Sequence, residues 1–385
     1  KDTVAPAASP CHHPAMAPTG TAVAFQIGTG EKGKGLEEGR RVLRQPRGLH
    51  VCRDGSLLVA DYGNHCVLRF KPGDGRGNVV AGEEGKILPD IDPLKDIDKP
   101  LALPEEEGML LKLPSDVCED LENGILVLDT DDGCVQRFGV GGPARTLVPQ
   151  GGKSTHRSIG APETVKNPRA FAMAPDGAIV VCDTWSHRVL RFPPQEGSDA
   201  AEKPTVLAGT PNGWGSRPDQ LAFPSSVVFD SDGALLVADT NNHRIQRFAP
   251  GSTEATTFAG SANGERGTGL SELDMPTGIC LDTQDGSLLV ADRANSRVLR
   301  FAAGSHAGSE GSVVVGSDVV SRPWGVSVAA DGAIFVSDER RAVVLKLEAD
   351  RNAGTAPVPP SAPPPAAMRA PPAEPAPALG PLDLD

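Results

Sequence analysis

The amino-acid sequence predicts an all-β protein, and three observations support that class. The chain of 385 residues holds 44 glycines and 36 prolines, a proportion that favours many turns over long helices. Aromatic residues make up only 4% of the chain, so large aromatic cores are not expected. One sequence pattern recurs six times along the chain. Frequent turns together with this repetition predict short antiparallel strands in repeated units.

The second half of each repeat aligns without gaps. Each copy begins with an apolar run and ends in Phe or Leu, and an Asp stands nine residues before that end. The copies are Leu57–Phe70, Ile125–Phe138, Ile179–Phe192, Leu235–Phe248, Leu288–Phe301 and Ile334–Leu347. A polar turn separates two apolar runs in each copy, so each copy predicts a strand, a turn and another strand.

The first half of each repeat supplies one more strand. It opens at a proline, continues as an apolar run and ends in Asp-Gly or Asn-Gly, the dipeptides that suit a tight hairpin. These leading prolines are Pro46, Pro114, Pro168, Pro224, Pro276 and Pro323. A further short strand such as 206–209 follows most copies. Four antiparallel strands per repeat define a blade of a β-propeller.

Counting strands predicts how the ring closes. The sixth repeat ends near Glu348 without a fourth strand, whereas Ala22–Gly28 is a surplus strand before the first repeat. Pairing the two would leave no exposed sheet edge. We therefore predict a six-bladed β-propeller over residues 22–349, closed by the N-terminal strand. Residues 1–21 and 350–385 are rich in proline and poor in large apolar side chains, so we expect both to be disordered.

The C-terminal segment carries one candidate binding motif. Arg369, Pro372 and Pro375 have the spacing of a basic residue and two prolines that polyproline-reading domains bind as a preformed helix. Such a pattern also arises by chance in proline-rich sequence. The motif is therefore a hypothesis that binding of the isolated peptide can test.

The turns between the second and third strands resemble those of NHL repeats, a family named for an Asn-His-Leu turn. Four of these turns read Asn64-His65-Cys66, Ser186-His187-Arg188, Asn242-His243-Arg244 and Asn295-Ser296-Arg297. The other two depart most and read Asp132-Gly133-Cys134 and Arg341-Ala342-Val343. The resemblance implies a six-bladed propeller of the kind that recruits proteins or RNA.

Charge and composition restrict the partners. A net charge of −13 and an isoelectric point near 5.1 disfavour RNA and anionic membranes. No apolar stretch approaches the roughly 18 residues of a membrane helix. The seven cysteines form no Cys-x-x-Cys pair, so we interpret them as reduced thiols. With no leader and no glycosylation sequon we expect a monomeric cytoplasmic propeller, and the start at Lys1 indicates a fragment or a processed form.

The best candidate site lies where the blades converge. The first strands of all blades meet near the axis of a propeller, so the residue after each leading proline is expected at one mouth of the central channel. These residues are Arg47, Ser115, Arg169, Ser225, Thr277 and Trp324. Two guanidinium groups and an indole, expected to be exposed there, are side chains that often anchor interfaces. The alternative is that all six residues cap the ends of strands.

Cofactor and metal motifs are incomplete. Residues 28–33 match the GxGxxG pattern of dinucleotide sites, but no helix follows them, so we predict no cofactor. His50 and Cys118 are expected to face the channel on neighbouring blades, with Cys280 across the ring. A zinc ion needs three or four ligands close together, so we predict no metal site.

The predicted function follows from these exclusions. Similar six-bladed propellers include amidating lyases and calcium-dependent lactonases, but no histidine follows a leading proline here and only Asp116 is expected near the mouth. We therefore predict that the chain is not an enzyme and has no catalytic residues. The expected function is a binding platform for a protein or for an acidic or aromatic peptide, as the recognition module of a larger protein such as a ubiquitin ligase. A propeller enzyme of the lyase or lactonase type and an RNA-binding NHL domain are the open alternatives.

Overall fold

The protein is built from small antiparallel sheets. The computed structural model describes residues 23–30, 36–37, 40–82, 111–139, 144–149, 165–194, 203–210 and 213–348. Among these residues, six sheets have four strands each and one hairpin has two. The first three strands are β1 (Val23–Ile27), β2 (Leu36–Glu37) and β3 (Arg40–Arg41), of which β2 and β3 form the hairpin.

Blades 1 to 5 each follow the chain through four consecutive strands. Blade 1 consists of β4 (Pro46–Val51), β5 (Leu57–Asp61), β6 (Cys66–Phe70) and β7 (Asn78–Gly82). Blade 2 consists of β8 (Pro114–Glu119), β9 (Ile125–Asp129), β10 (Cys134–Phe138) and β11 (Arg145–Val148). Blade 3 consists of β12 (Phe171–Met173), β13 (Ile179–Asp183), β14 (Arg188–Phe192) and β15 (Thr205–Ala208). Blade 4 consists of β16 (Pro224–Phe229), β17 (Leu235–Asp239), β18 (Arg244–Phe248) and β19 (Ala255–Gly260). Blade 5 consists of β20 (Pro276–Leu281), β21 (Leu288–Asp292), β22 (Arg297–Phe301) and β23 (Ser312–Val315).

Blade 6 is completed by the N-terminal strand. Its first three strands are β24 (Pro323–Val328), β25 (Ile334–Asp338) and β26 (Val343–Leu347), and β1 pairs antiparallel with β26. Three single-turn 3-10 helices follow β5, β13 and β17, at Tyr62–Asn64, Thr184–Ser186 and Thr240–Asn242. The predicted all-β, six-bladed propeller is confirmed. The segments 1–21 and 350–385, predicted to be disordered, lie outside the described residues.

The hydrophobic cores lie between neighbouring blades. Six clusters of buried side chains are present, one at each of the six blade interfaces. At the interface between blades 6 and 1, for example, Phe335 and Val344 pack with Leu57, Val59 and Leu68. Because each blade is packed on both of its faces, the inner strands hold fixed positions around the central channel.

The repeated aspartate at the end of each second strand orients the start of its own blade. All six of these side chains are at most 1% exposed. Each carboxylate accepts the backbone N–H of the residue two positions before the leading proline, at 2.6 to 2.7 Å. This bond fixes the direction of the leading proline, and therefore the position of the residue that follows it.

The histidines of the NHL turns link each blade to the next. The Nδ1 atoms of His65, His187 and His243 accept backbone N–H groups at 3.3, 3.2 and 3.1 Å. In each case the donor directly precedes the leading proline of the following blade. The turns thus fasten the same end of the blades at which the channel mouth lies.

Candidate functional site: the channel mouth

Two positions in every blade lie together at one mouth of the channel. The first position follows the leading proline and the second follows the buried aspartate. The residues at the first position are Arg47, Ser115, Arg169, Ser225, Thr277 and Trp324. The residues at the second position are Tyr62, Thr130, Thr184, Thr240, Arg293 and Glu339. The leading proline pairs with the buried aspartate across the first two strands, as Pro46 does with Asp61, which makes the two positions neighbours.

The small hydroxyl residues at these positions link adjacent blades. The hydroxyls of Thr130, Thr184 and Thr240 donate to the carbonyl of the next blade's leading proline, at 2.9, 2.8 and 2.8 Å. Their backbone acceptors lie within reach of a short side chain. The threonines are therefore structural bridges between blades 2 and 3, 3 and 4, and 4 and 5.

Three of the sequence-predicted site residues share this linking role. Ser115, Ser225 and Thr277 are at most 3% exposed, and their hydroxyls donate to backbone carbonyls of the next blade. The sequence predicted that they contact a ligand at the mouth. In the structure their hydroxyls bond within the ring, because a side chain this short reaches the neighbouring carbonyl. Contact of these residues with a ligand stays a prediction.

The long side chains of blades 1 and 6 meet at the mouth. The Arg47 guanidinium lies between two aromatic rings, 3.4 Å from the Tyr62 centroid and 4.2 Å from the Trp324 centroid. Such cation–π contacts are worth about 0.5 to 2 kcal/mol each. Trp324 is only 6% exposed, so the expected exposed indole is corrected: the guanidinium covers its face. The ring serves to position arginine at the mouth.

Two further arginines share the Trp324 ring. The guanidinium carbons of Arg169 and Arg293 lie 5.5 and 5.1 Å from its centroid. Glu339 accepts hydrogen bonds from Nη2 of Arg47 at 3.3 Å and from Nη2 of Arg293 at 3.0 Å. Arg47, Arg169 and Arg293, here called the arginine cluster, therefore surround one carboxylate and one indole.

Sequence reasoning missed Tyr62, Arg293 and Glu339, although the sequence carries a signal for them. In blades 2, 3 and 4 the same position is threonine and forms a bridge to the next blade. Blades 1, 5 and 6 have no threonine there, and their residues contact the arginine cluster instead. Where a blade lacks the bridging threonine at this position, the residue that replaces it is thus expected to point to the mouth.

The mouth carries more positive charge than its own residues neutralise. Burial lowers the pKa of Arg169 to about 10, and the charges of Arg47 and Arg293 act in the same direction. Burial alone would raise the pKa of Glu339, but Arg47 and Arg293 outweigh it and hold that pKa below its usual value. Glu339 is therefore ionised and balances only one of three guanidinium charges.

Several guanidinium hydrogens at the mouth lack acceptors. The Nε atoms of Arg47 and Arg293 are buried and have no hydrogen-bond partner among the described residues. Arg169 makes no hydrogen bond or ion pair with any residue in the described ranges, and its guanidinium lies over the Trp324 ring. Buried donors without acceptors are rare in folded proteins, so this arrangement suits an anionic ligand.

The inner strands surround an open cavity of about 190 Å³, which Arg169 and Trp324 line at the mouth. Asp116 lines it and accepts the N–H groups of Phe171 and Val117, both at 3.0 Å. Burial raises the pKa of Asp116 to about 7, lowers that of His50 and raises that of Cys118 well above the ordinary thiol value. Around these three residues the cavity is therefore an environment that disfavours charge, in contrast to its cationic mouth.

Three other features considered in the sequence are a metal site, a membrane helix and the proline motif. Within the described ranges, no three His, Cys, Asp or Glu side chains are grouped so that they could hold a metal ion. No helix in that part of the chain is long and apolar enough to cross a membrane. The proline motif with Arg369, Pro372 and Pro375 lies outside the described residues and stays a hypothesis.

The NHL repeat model matches four segments of the chain, at residues 43–70, 166–192, 221–248 and 273–301. These segments run from the leading loop to the end of the third strand in blades 1, 3, 4 and 5. The protein is therefore a six-bladed β-propeller that contains NHL repeats in these four blades. Blades 2 and 6, which the model does not match, are those whose turns depart most from the repeat.

Solved structures with a similar fold come from several bacteria. A gluconolactonase from Xanthomonas campestris is 16% identical with a TM-score of 0.54, and the match covers 80% of this chain and 86% of that chain. A protein of unknown function from Bacteroides thetaiotaomicron is 14% identical with a TM-score of 0.56, over 84% and 76% of the two chains. The PQQ-bound aldose sugar dehydrogenase of Streptomyces coelicolor is 16% identical with a TM-score of 0.51, over 85% and 97%.

These matches correct the prediction that the chain is not an enzyme. Two of the three similar folds belong to enzymes, a gluconolactonase and a sugar dehydrogenase, so the missing lyase and lactonase residues do not exclude catalysis. At 16% identity the likeness concerns the fold and carries no reaction over to this chain. Function has to be argued from the site itself.

Proposed function

We propose that the channel mouth binds a carboxylate-bearing segment of a protein partner. The observation that carries this proposal is Arg169, a half-buried guanidinium that has no hydrogen bond or ion pair with any described residue. It lies with Arg47 and Arg293 around a single carboxylate. A bound carboxylate would supply the missing negative charge and the missing acceptors.

The chemistry of arginine supports a carboxylate ligand. A guanidinium presents its N–H groups as a planar fork that matches the two oxygens of a carboxylate. Cation–π contacts with Tyr62 and Trp324 hold Arg47 in place before any ligand arrives. Less side-chain entropy is therefore lost on binding, which favours affinity.

The size of the cavity supports a polypeptide over a whole small molecule. Pockets that enclose drug-sized ligands are typically about 300 to 1,000 Å³, whereas the cavity below the mouth is about 190 Å³. A space of that size suits one group of a larger ligand, such as an acidic side chain of an extended peptide. The proposal concerns binding and holds whether or not the bound ligand is then turned over.

Isothermal titration calorimetry with short peptides tests the proposal. The probes are a glutamate-containing peptide with blocked termini and the same peptide with glutamine in place of glutamate. Wild type should bind the first and not the second. Arg169→Ser and Arg293→Thr should each weaken binding at least about tenfold, because a hydrogen bond to a charged group contributes about 1.5 to 3 kcal/mol.

The two substitutions are chosen from the repeat itself. Blades 2 and 4 already carry serine where blade 3 has Arg169, and blades 2, 3 and 4 carry threonine where blade 5 has Arg293. Both variants should therefore fold with melting temperatures close to that of wild type. Arg217→Ser is the matched control, since this side chain is 68% exposed and, among the described residues, pairs with Asp219. Equal binding of the glutamate and glutamine peptides, or undiminished binding by both variants, would refute the proposal.

A further inference from the structure

A second group of arginines lies beside the mouth on blades 6 and 1. The turn after β25 reads Glu339-Arg340-Arg341-Ala342, where blade 4 has Thr240-Asn241-Asn242-His243. Arg340 and Arg44 are exposed, and the side chains of Arg322 and Arg341 are 51% and 44% exposed. These four residues, Arg44, Arg322, Arg340 and Arg341, are called the arginine arc below.

Nearby carboxylates do not neutralise the arc. Asp338 is fully buried and is engaged by backbone N–H groups of Ser321, Arg340 and Arg341. Its contact with Nε of Arg341 is long, at 3.9 Å. Asp318 is exposed in the loop that precedes β24 and forms no ion pair with the arc among the described residues. In the described part of this sector, the four guanidinium groups of the arc and the three of the arginine cluster meet four carboxylates, those of Asp61, Asp318, Asp338 and Glu339.

In two other sectors of the same face, basic side chains are paired with carboxylates. In the loop before β16, Arg217 pairs with Asp219 at 3.3 Å. Beside the turn of blade 2, Lys112 pairs with Asp132 at 2.7 Å, and Asp131 is close by in the sequence. The arc is thus a local excess of positive charge in a protein whose net charge is −13. Such an excess attracts and orients an oppositely charged partner.

Glu339 connects the arc to the mouth. Its carboxylate accepts from Arg47 at 3.3 Å and from Arg293 at 3.0 Å, and it lies 3.9 Å from Nε of Arg322. Arg322, in the loop before β24, is therefore close to Glu339 at the rim of the site, and the exposed Arg340 directly follows Glu339 in the chain. An extended ligand with one acidic group in the mouth would place its next acidic groups over the arc.

We propose that the partner segment is acidic over several residues, with one carboxylate held by the arginine cluster and the next ones held by the arc. This inference rests on the proposed function and specifies its ligand. An RNA strand fits the site less well. Single-stranded nucleic acid binds through aromatic faces on which bases stack, and the faces of Tyr62 and Trp324 are covered by Arg47.

Two peptides and one pair of double variants test the inference. Both peptides have eight residues and blocked termini, one with a single glutamate and one with three glutamates at alternate positions. The measured quantity is the dissociation constant of the single-glutamate peptide divided by that of the triple-glutamate peptide. In wild type the triple peptide should bind more tightly, and the difference should shrink as salt is raised, since exposed charges are screened.

The double variant Arg322→Gln and Arg340→Gln should reduce that ratio about fivefold, the effect expected when two exposed charge contacts are lost. The matched control, Arg217→Gln with Arg266→Gln, removes two exposed arginines from the loops before β16 and β20 and should leave the ratio as in wild type. The melting temperature of each variant shows whether it is folded.

Each alternative outcome has a distinct meaning. Equal ratios in wild type and in the Arg322/Arg340 variant would overturn the inference while the single-glutamate peptide still binds, so the proposed function would survive. Absence of binding by both peptides would refute the proposed function and this inference together. Tighter binding of an eight-nucleotide RNA than of the triple peptide, weakened by the same double variant, would replace the acidic segment with a nucleic-acid ligand.

Discussion

Asp116 illustrates how one residue of a repeat takes on a new property without losing its structural role. The other blades have small residues at this position, two after the leading proline, and they are Gly48, Ala170, Ser226, Gly278 and Gly325. In blade 4 the Ser226 hydroxyl accepts the N–H of Ile279 in the next blade at 3.2 Å. Asp116 accepts the N–H of Phe171 in the same way. The carboxylate therefore replaces a hydroxyl as the bridge between two blades, and it adds an ionisable group to the channel.

The substitution Asp116→Ser should keep this bridge and remove the titration. Burial raises the folded-state pKa of Asp116 from 3.8 to about 7, so the folded state binds more protons than the unfolded state between those pH values. The contribution of this group to wild-type stability is thus present at low pH and is lost as the pH rises through 7. The free energy of unfolding of the variant, relative to wild type, should increase by about 4 kcal/mol between pH 4 and pH 8.

Urea unfolding of both proteins at the two pH values measures this difference. Burial also raises the pKa of Asp129 to about 7, but that group is present in both proteins and cancels in the comparison. If the variant and wild type differ by the same amount at pH 4 and at pH 8, Asp116 does not titrate as described.

At the scale of the element, the blades differ in the hairpin formed by their second and third strands. Some of these hairpins contain a buried ion pair and others do not. In blades 3, 4 and 5 an arginine five residues after the buried aspartate donates to it, as Arg244 Nε does to Asp239 at 2.8 Å. Arg244 also donates to the carbonyl of Ala262, which ties the hairpin to the following loop. In blades 1 and 2 the corresponding residues are Cys66 and Cys134. The pair is therefore a stabilising addition in some blades and not a requirement of the fold.

Arg244→Ala should lower the free energy of unfolding by about 3 kcal/mol, because it leaves a buried carboxylate without its partner. Arg217→Ala, which removes an exposed pair with Asp219, should change it by less than about 1 kcal/mol. Chemical denaturation of the two variants beside wild type makes the comparison. Similar losses in both variants would show that burial of the Asp239 pair does not control its contribution.

The sequence predicted the elements well because each signal for them is local. Turn dipeptides, leading prolines and apolar runs act over a few residues, and the structure has strands wherever these patterns occur. The candidate site was predicted only in part. Arg47, Arg169 and Trp324 were placed at the mouth because they follow the leading prolines, but Arg293 and Glu339 reach it from the second hairpin. That convergence depends on how the blades are arranged around the axis, which local patterns do not specify.

For the whole molecule, ring closure rests on strand β1. It supplies the outer strand of blade 6, and Ile27 is 3% exposed in the core between blades 6 and 1. Gly28 follows with φ +96, where a Cβ would lie 2.8 Å from the carbonyl oxygen of Ala342. The N-terminal strand therefore fits closely against the last blade, and blade 6 without it would expose an unpaired edge.

Removal of residues 1–28 should lower the melting temperature strongly, whereas removal of residues 1–21 retains β1 and serves as the matched control. The longer truncation loses both the edge pairing and the buried Ile27. Differential scanning calorimetry of the two truncated proteins gives the comparison. Equal melting temperatures for the two would show that β1 does not hold the ring closed.

The central claim, that the arginine cluster binds a carboxylate, is tested most directly by observing the arginine side chains themselves. Nuclear magnetic resonance of protein labelled with ¹⁵N at arginine Nε gives one signal for each side chain, and Arg169→Ser and Arg293→Thr assign two of the relevant ones. Titration with the glutamate peptide should shift the signals of Arg47, Arg169 and Arg293 together and to saturation, since their N–H groups gain an acceptor. Arg217 should remain unshifted. Saturable binding that leaves the signals of all three cluster arginines unchanged would contradict the account.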